Sequence, residues 1–157
     1  MATDMQQPGT NGAPVGSEGD SAGEIGTRDF DGSTEEFADW VQFIPSNYDG
    51  ESVAVSVFWI PATSSSTSDT VSWTLSGISM TNDDAASLAV EDKVAAMDDV
   101  VSVAQDWHVI TGTWSTNKPT VNEVLKMRIS RNVGGNDNMT EDAKLVGVLL
   151  SFNQNVE

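Results

Sequence analysis

The last thirty or so residues constrain this chain more than any other part. A strand-like run at 123–131, EVLKMRISR, meets a polar break from Asn132 to Asp142, and a second run at 143–152, AKLVGVLLSF, follows. Two β-segments joined by a Gly/Asn/Asp loop, the second strongly apolar, predict a buried antiparallel pair that closes a sheet. Upstream, 38–45 reads as a short strand, with Asn47 to Gly50 as a turn. Within 52–60, Val53, Val55, Val57 and Trp59 alternate onto one face, and Pro61 ends the run. The cleanest half-buried strand is 70–78, where Val71, Trp73 and Leu75 oppose Ser72, Thr74 and Ser76. Residues 100–104 and 107–114 give two more strands, separated by Gln105 and Asp106. Thr63 to Asp69 is a Ser/Thr loop. Residues 81–93 read either as an N-capped helical turn, with Asp83 and Asp84 near its start, or as a long loop. Strands of this number and spacing predict an all-β fold: an antiparallel β-sandwich, jelly-roll-like or otherwise Greek-key, with an extended N-terminal arm.

That arm covers residues 1–36, and the β-sandwich domain is expected over 37–157. The segment is punctuated by Gly and Pro, and its large apolar residues are only Met1, Met5, Val15, Ile25 and Phe30. Alone it buries too little surface to offset its ordering entropy, so it is either a floppy leader or an arm ordered by a neighbouring chain. On this reading, removal of residues 1–30 leaves the β-domain folded. Residues 1–8, MATDMQQP, lack both a basic n-region and an apolar h-region, so no Sec-type signal is expected. No apolar run approaches the roughly 20 residues of a membrane span.

Charge narrows the function classes. The chain carries 24 Asp and Glu against 7 Lys and Arg, a formal net of −17. Such a surface repels phosphate backbones, so nucleic acid is not an expected partner. Self-repulsion for solubility is the plain explanation, and adaptation to high salt is a sharper one. The absence of cysteine removes disulfides, thiolate catalysis and Cys-ligated metals together.

No catalytic, cofactor or metal residues are assigned, and the chain is not expected to be an enzyme. His108 is the sole histidine, and no Gly-x-Ser-x-Gly nucleophile elbow accompanies it. It is read as a solvent-facing or core histidine. Asp83-Asp84 and Asn136-Asp137-Asn138 offer oxygen atoms, but without the spacing of a calcium loop, and turn chemistry accounts for both. Trp40, Trp59, Trp73, Trp107 and Trp114 are spread over separate strands, as expected of core and edge packing rather than a sugar platform. Arg128 and Arg131 point to opposite faces of their strand, one of them pairing with an acid such as Glu141 or Asp142.

The order of several short motifs carries a resemblance. Asp31-Gly-Ser-Thr-Glu35 is followed by 41–49, VQFIPSNYD, then Trp59-Ile-Pro61 and Val71-Ser-Trp73. An Arg128/Arg131 strand, an Asn/Asp loop and Asp142-Ala-Lys-Leu-Val-Gly-Val148 complete the series. Over about residues 30–153 the chain resembles the small β-sandwich structural proteins of tailed double-stranded DNA viruses, of the head-decoration (cement) or fibre type. The resemblance implies a homotrimer on the outer surface of the virion head, bound to the major capsid protein and stabilising the lattice, with no membrane or nucleic-acid partner. A trimeric tail-fibre or receptor-binding module, attaching to host glycans or proteins, is the alternative. A cellular carbohydrate-binding or adhesive domain is a third reading.

Overall fold

Alternating burial, not helix propensity, organises this chain. A computed structural model describes residues 1–62, 65–84 and 92–155. After a short 3-10 turn at Ala2–Asp4 come nine strands: β1 (Val15–Asp20), β2 (Gly23–Phe30), β3 (Phe37–Phe43), β4 (Val53–Pro61) and β5 (Thr70–Met80). They continue with β6 (Asp92–Val100), β7 (His108–Trp114), β8 (Val124–Arg131) and β9 (Ala143–Ser151). One sheet has the order β1-β2-β9-β4-β7 and the other β3-β8-β5-β6, every pairing antiparallel.

The winding is a jelly roll. β5 pairs with β6, β4 with β7, β3 with β8 and β2 with β9, so the chain doubles back about the β5–β6 connection as one long ribbon. Wrapping that ribbon adds the β4–β9 and β5–β8 pairings and yields two packed sheets. Val53, Val55, Val57 and Trp59 of β4 and Val71, Trp73 and Leu75 of β5 are fully buried between them, as their period of two requires. Trp73 packs edge-on against Phe30 and Trp59, with ring centroids 5.1 Å and 6.2 Å apart.

Three expectations are corrected. β8 and β9 do not pair with each other: they lie in different sheets, and residues 132–142 cross between them. Both runs carry enough apolar residues to fill a sandwich, and the side on which each pairs is a tertiary matter. Second, the strand expected at 100–104 ends where it was to begin. Val100 closes β6, and Val101 turns inward, its N–H bonding the Asp69 carbonyl at 2.8 Å. Third, the expected arm is largely built into the sandwich, so the boundary at 36/37 falls within it. β1 and β2 form a hairpin, and β2 pairs with β9 at Arg28–Leu145 and Phe30–Ala143. Residues 85–91, the core of the ambiguous 81–93 segment, and 63–64 of the Ser/Thr loop lie outside the described residues.

The physical reason for the third difference is Arg28. Its buried guanidinium donates to the Ala13 carbonyl at 3.1 Å, the Ala2 carbonyl at 3.3 Å and the Met5 carbonyl. Ala2, Met5 and Ala13 are thereby sealed into the core, and isolated bridges Gln6–Asp39 and Gly12–Phe37 fasten the segment along β3.

Candidate functional site

The residues singled out by type are mostly structural. His108 is buried, its ring 4.8 Å from that of Trp59, with Nδ1 3.4 Å from an oxygen of Asp99. The Trp59 indole N–H donates to the same carboxylate at 2.9 Å, so Asp99 on β6 ties the two sheets together. The outer nitrogen, Nε2, is enclosed without a partner among the described residues. Arg128 makes a two-pronged pair with Asp39, at 2.6 and 2.8 Å, over the ring of Phe37. Arg131 faces the opposite way, as expected, and is fully buried. Its carboxylate partner is Asp137, with both bonds at 2.9 Å. The Glu141 backbone carbonyl also accepts from Arg131 at 2.7 Å, whereas neither the Glu141 nor the Asp142 carboxylate pairs with it.

The two oxygen-rich motifs are occupied by turn chemistry. Asp84 accepts from the N–H and hydroxyl of Thr81, at 2.7 and 2.9 Å. Asn138 accepts from the Thr70 N–H at 2.6 Å, and Asn136 donates to Asp98 at 2.7 Å. Among the described residues no group of three or more His, Cys, Asp or Glu side chains could hold a metal ion. Gly134 and Gly135 take positive φ values of 110° and 63° beside these motifs, turning the chain so that Asp137 meets Arg131. Trp59, Trp73 and Trp114 are buried and Trp40 is half-buried, but Trp107 stands 55% exposed.

A different feature emerges once the strands are paired. On the outer face of the five-stranded sheet, the register sets Val109, Phe58 and Gly147 in one row across β7, β4 and β9. The next rows are Thr111, Ser56, Leu149 and then Thr113, Ala54, Ser151. These nine positions hold no charge in a chain of net −17. At the ordinary spacing of a sheet they cover about 300 Å². Val109 and Leu149 are about half exposed, and a Cβ placed on Gly147 would meet nothing within 4 Å, so the face is open and nearly flat. Val100, Val103 and Trp107, in the stretch that leads from the end of β6 to β7, are also at least 50% exposed. Five of the nine are apolar or glycine and four are Ser or Thr, so the face is uncharged rather than uniformly apolar.

Two concavities lie elsewhere. A cleft of about 310 Å³ on the four-stranded sheet is lined by Ser72, Thr74, Asp98 and the 132–136 loop. A groove of about 820 Å³ runs between the N-terminal segment and β3, past Met1, Met5, Pro8, Trp40 and Val41.

No protein-family model matches the chain, and no curated protein matches it. Two solved structures resemble it weakly. One, described as "CBM4 structure and function", shares 16% identity over 95% of this chain and 85% of its own, with a TM-score of 0.43. The other is TmCBM61 in complex with beta-1,4-galactotriose, at 8% identity over 89% of each chain and a TM-score of 0.41. Both are carbohydrate-binding modules. At that level of similarity neither says what this chain binds.

The uncharged face escaped sequence reasoning although its signal is present. Ala54, Ser56 and Phe58 alternate with the buried residues of β4, as Val109, Thr111 and Thr113 do along β7. Only the pairing of β4 with both β7 and β9 shows that these short series adjoin.

Proposed function

We propose that this chain is a non-catalytic structural protein that decorates the outer surface of a virus head and contacts the major capsid protein through the outer face of its five-stranded sheet. One observation carries the reading: nine adjoining outward positions lack charge on a chain of net −17. Charge elsewhere keeps the protein soluble and away from nucleic acid, and leaves this face as the side on which a large partner approaches without desolvating ions. A flat patch of about 300 Å² is small for a stable interface, so a single copy binds weakly. Decoration of a lattice suits such a contact, because many copies together oppose the separation of capsomers. The lone histidine, enclosed against Trp59 and Asp99, offers no exposed base, which favours a binding role over an enzymatic one.

A second reading rests on Trp107, whose exposed indole stands just before β7, the strand that carries the Thr111 and Thr113 hydroxyls. Such a surface suits attachment to host glycans from a tail fibre. Antibody raised against the purified chain and imaged on virus particles decides between them. Dense label over the heads is the expected result. Label confined to tail tips favours the second reading, and unlabelled particles overturn both.

A further inference from the structure

The two sheets have four edges, and they are not equally guarded. β1 carries Glu18 and Asp20, and β6 carries Asp98 and Asp99. β3 is covered by the N-terminal segment over its first three residues, through the Gln6–Asp39 and Gly12–Phe37 bridges, while Val41 and Phe43 beyond them stay exposed. β7, with the sequence HVITGTW, has no charge and no proline, and among the described residues no backbone hydrogen bond reaches its outer edge. An unguarded edge strand is a template for another strand.

We propose that β7 pairs antiparallel with β7 of a second copy of this chain, about a two-fold axis through Thr111. The strand is self-complementary in that register. Val109 falls opposite Thr113 of the other copy, and the half-buried Ile110 opposite Gly112, a large residue over one without a side chain. Charge selects the same place: two chains of net −17 repel one another, and β7 with its neighbouring face is where they meet without opposed carboxylates. The pairing runs the two five-stranded sheets into one and doubles the uncharged face into a single larger platform. The inference extends the docking role proposed for that face, but does not need a capsid for its test.

Sedimentation equilibrium of the purified full chain over a range of concentrations, in dilute and in molar salt, measures it directly. A monomer–dimer equilibrium that tightens with salt is expected, since screening removes the repulsion outside the contact. The double variant Thr111→Lys, Thr113→Lys is the diagnostic. It lowers the net negative charge, so it would strengthen any non-specific association, yet in the β7 pairing it sets lysines against each other and should weaken the dimer at least tenfold. Ser17→Lys on β1 serves as the control and should not weaken it. An unchanged melting temperature shows that the double variant is folded. A chain that stays monomeric in molar salt, a trimer, or a dimer indifferent to the lysines overturns the β7 pairing. Unlabelled virus particles would instead overturn the capsid reading and leave this result standing.

Discussion

Arg131 is wholly enclosed, yet every nitrogen of its guanidinium is used: Asp137 takes two bonds, and the carbonyls of Phe30, Met139 and Glu141 take the rest. It therefore fastens the 132–142 crossover to the end of β8 and to the end of β2. Arg131→Ala leaves the Asp137 carboxylate buried without its counter-charge, and about 3–5 kcal/mol of stability should be lost in urea unfolding. A loss below about 1 kcal/mol would show that water reaches the site. The alternation that sends Arg128 and Arg131 to opposite faces is legible from a period of two. The partner of Arg131 is not, because loop geometry, set by Gly134 and Gly135, brings Asp137 rather than Glu141 or Asp142 to the guanidinium.

At the scale of elements, the N-terminal segment changes character most. Its Gly-rich composition reads as an arm, but Ala2, Ala13 and Phe30 are fully buried, and Arg28 holds three of its carbonyls. Few apolar residues suffice when each is inserted into a core already formed by others. Removal of residues 1–30 is thus expected to strip β2 from β9 and open the space around Trp73. Circular dichroism and calorimetry should show a chain without a cooperative melting transition, in contrast to the independence that composition alone implies. A truncated chain melting near the full-length temperature would mean that the segment merely rests on the sandwich. The strands β3, β4, β5, β7, β8 and β9 are close to their sequence-based positions, whereas the β1–β2 hairpin is not marked by apolar alternation at all.

For the whole molecule, acidity and pH are linked with a definite sign. Burial raises Glu36 above the usual 4.5, with the charges of Asp31, Asp142 and Asp29 adding to it against a hydrogen bond from the Asp31 N–H. Burial likewise raises Asp142 above 3.8, helped by Asp31 and Asp29. These two groups take up protons in the folded chain before the unfolded one, so stability should rise as pH falls from neutrality into the range where they protonate. Two other acids act in reverse. Hydrogen bonds from Ser33 hold Asp31 below 3.8. Burial pushes Glu123 upward, but bonds from Ser79 and Thr120 outweigh it and leave it below 4.5. Protonating them in further acid removes stability, and the melting temperature should pass through a maximum in mild acid. A melting temperature that falls steadily from pH 7 downward would contradict this balance.

Sequence by itself determined the all-β class, the inward faces of the central strands, the absence of cysteine chemistry and the acid surplus. These follow from local periodicity and from composition, which need no partner in space. Only the tertiary structure decided that β8 and β9 belong to different sheets, that the N-terminal segment enters the core, and that three short uncharged series meet as one face. Each of those depends on which strands lie side by side. Backbone hydrogen bonds are the same for every strand, so that choice rests on packing across the whole core and on a few buried arginines.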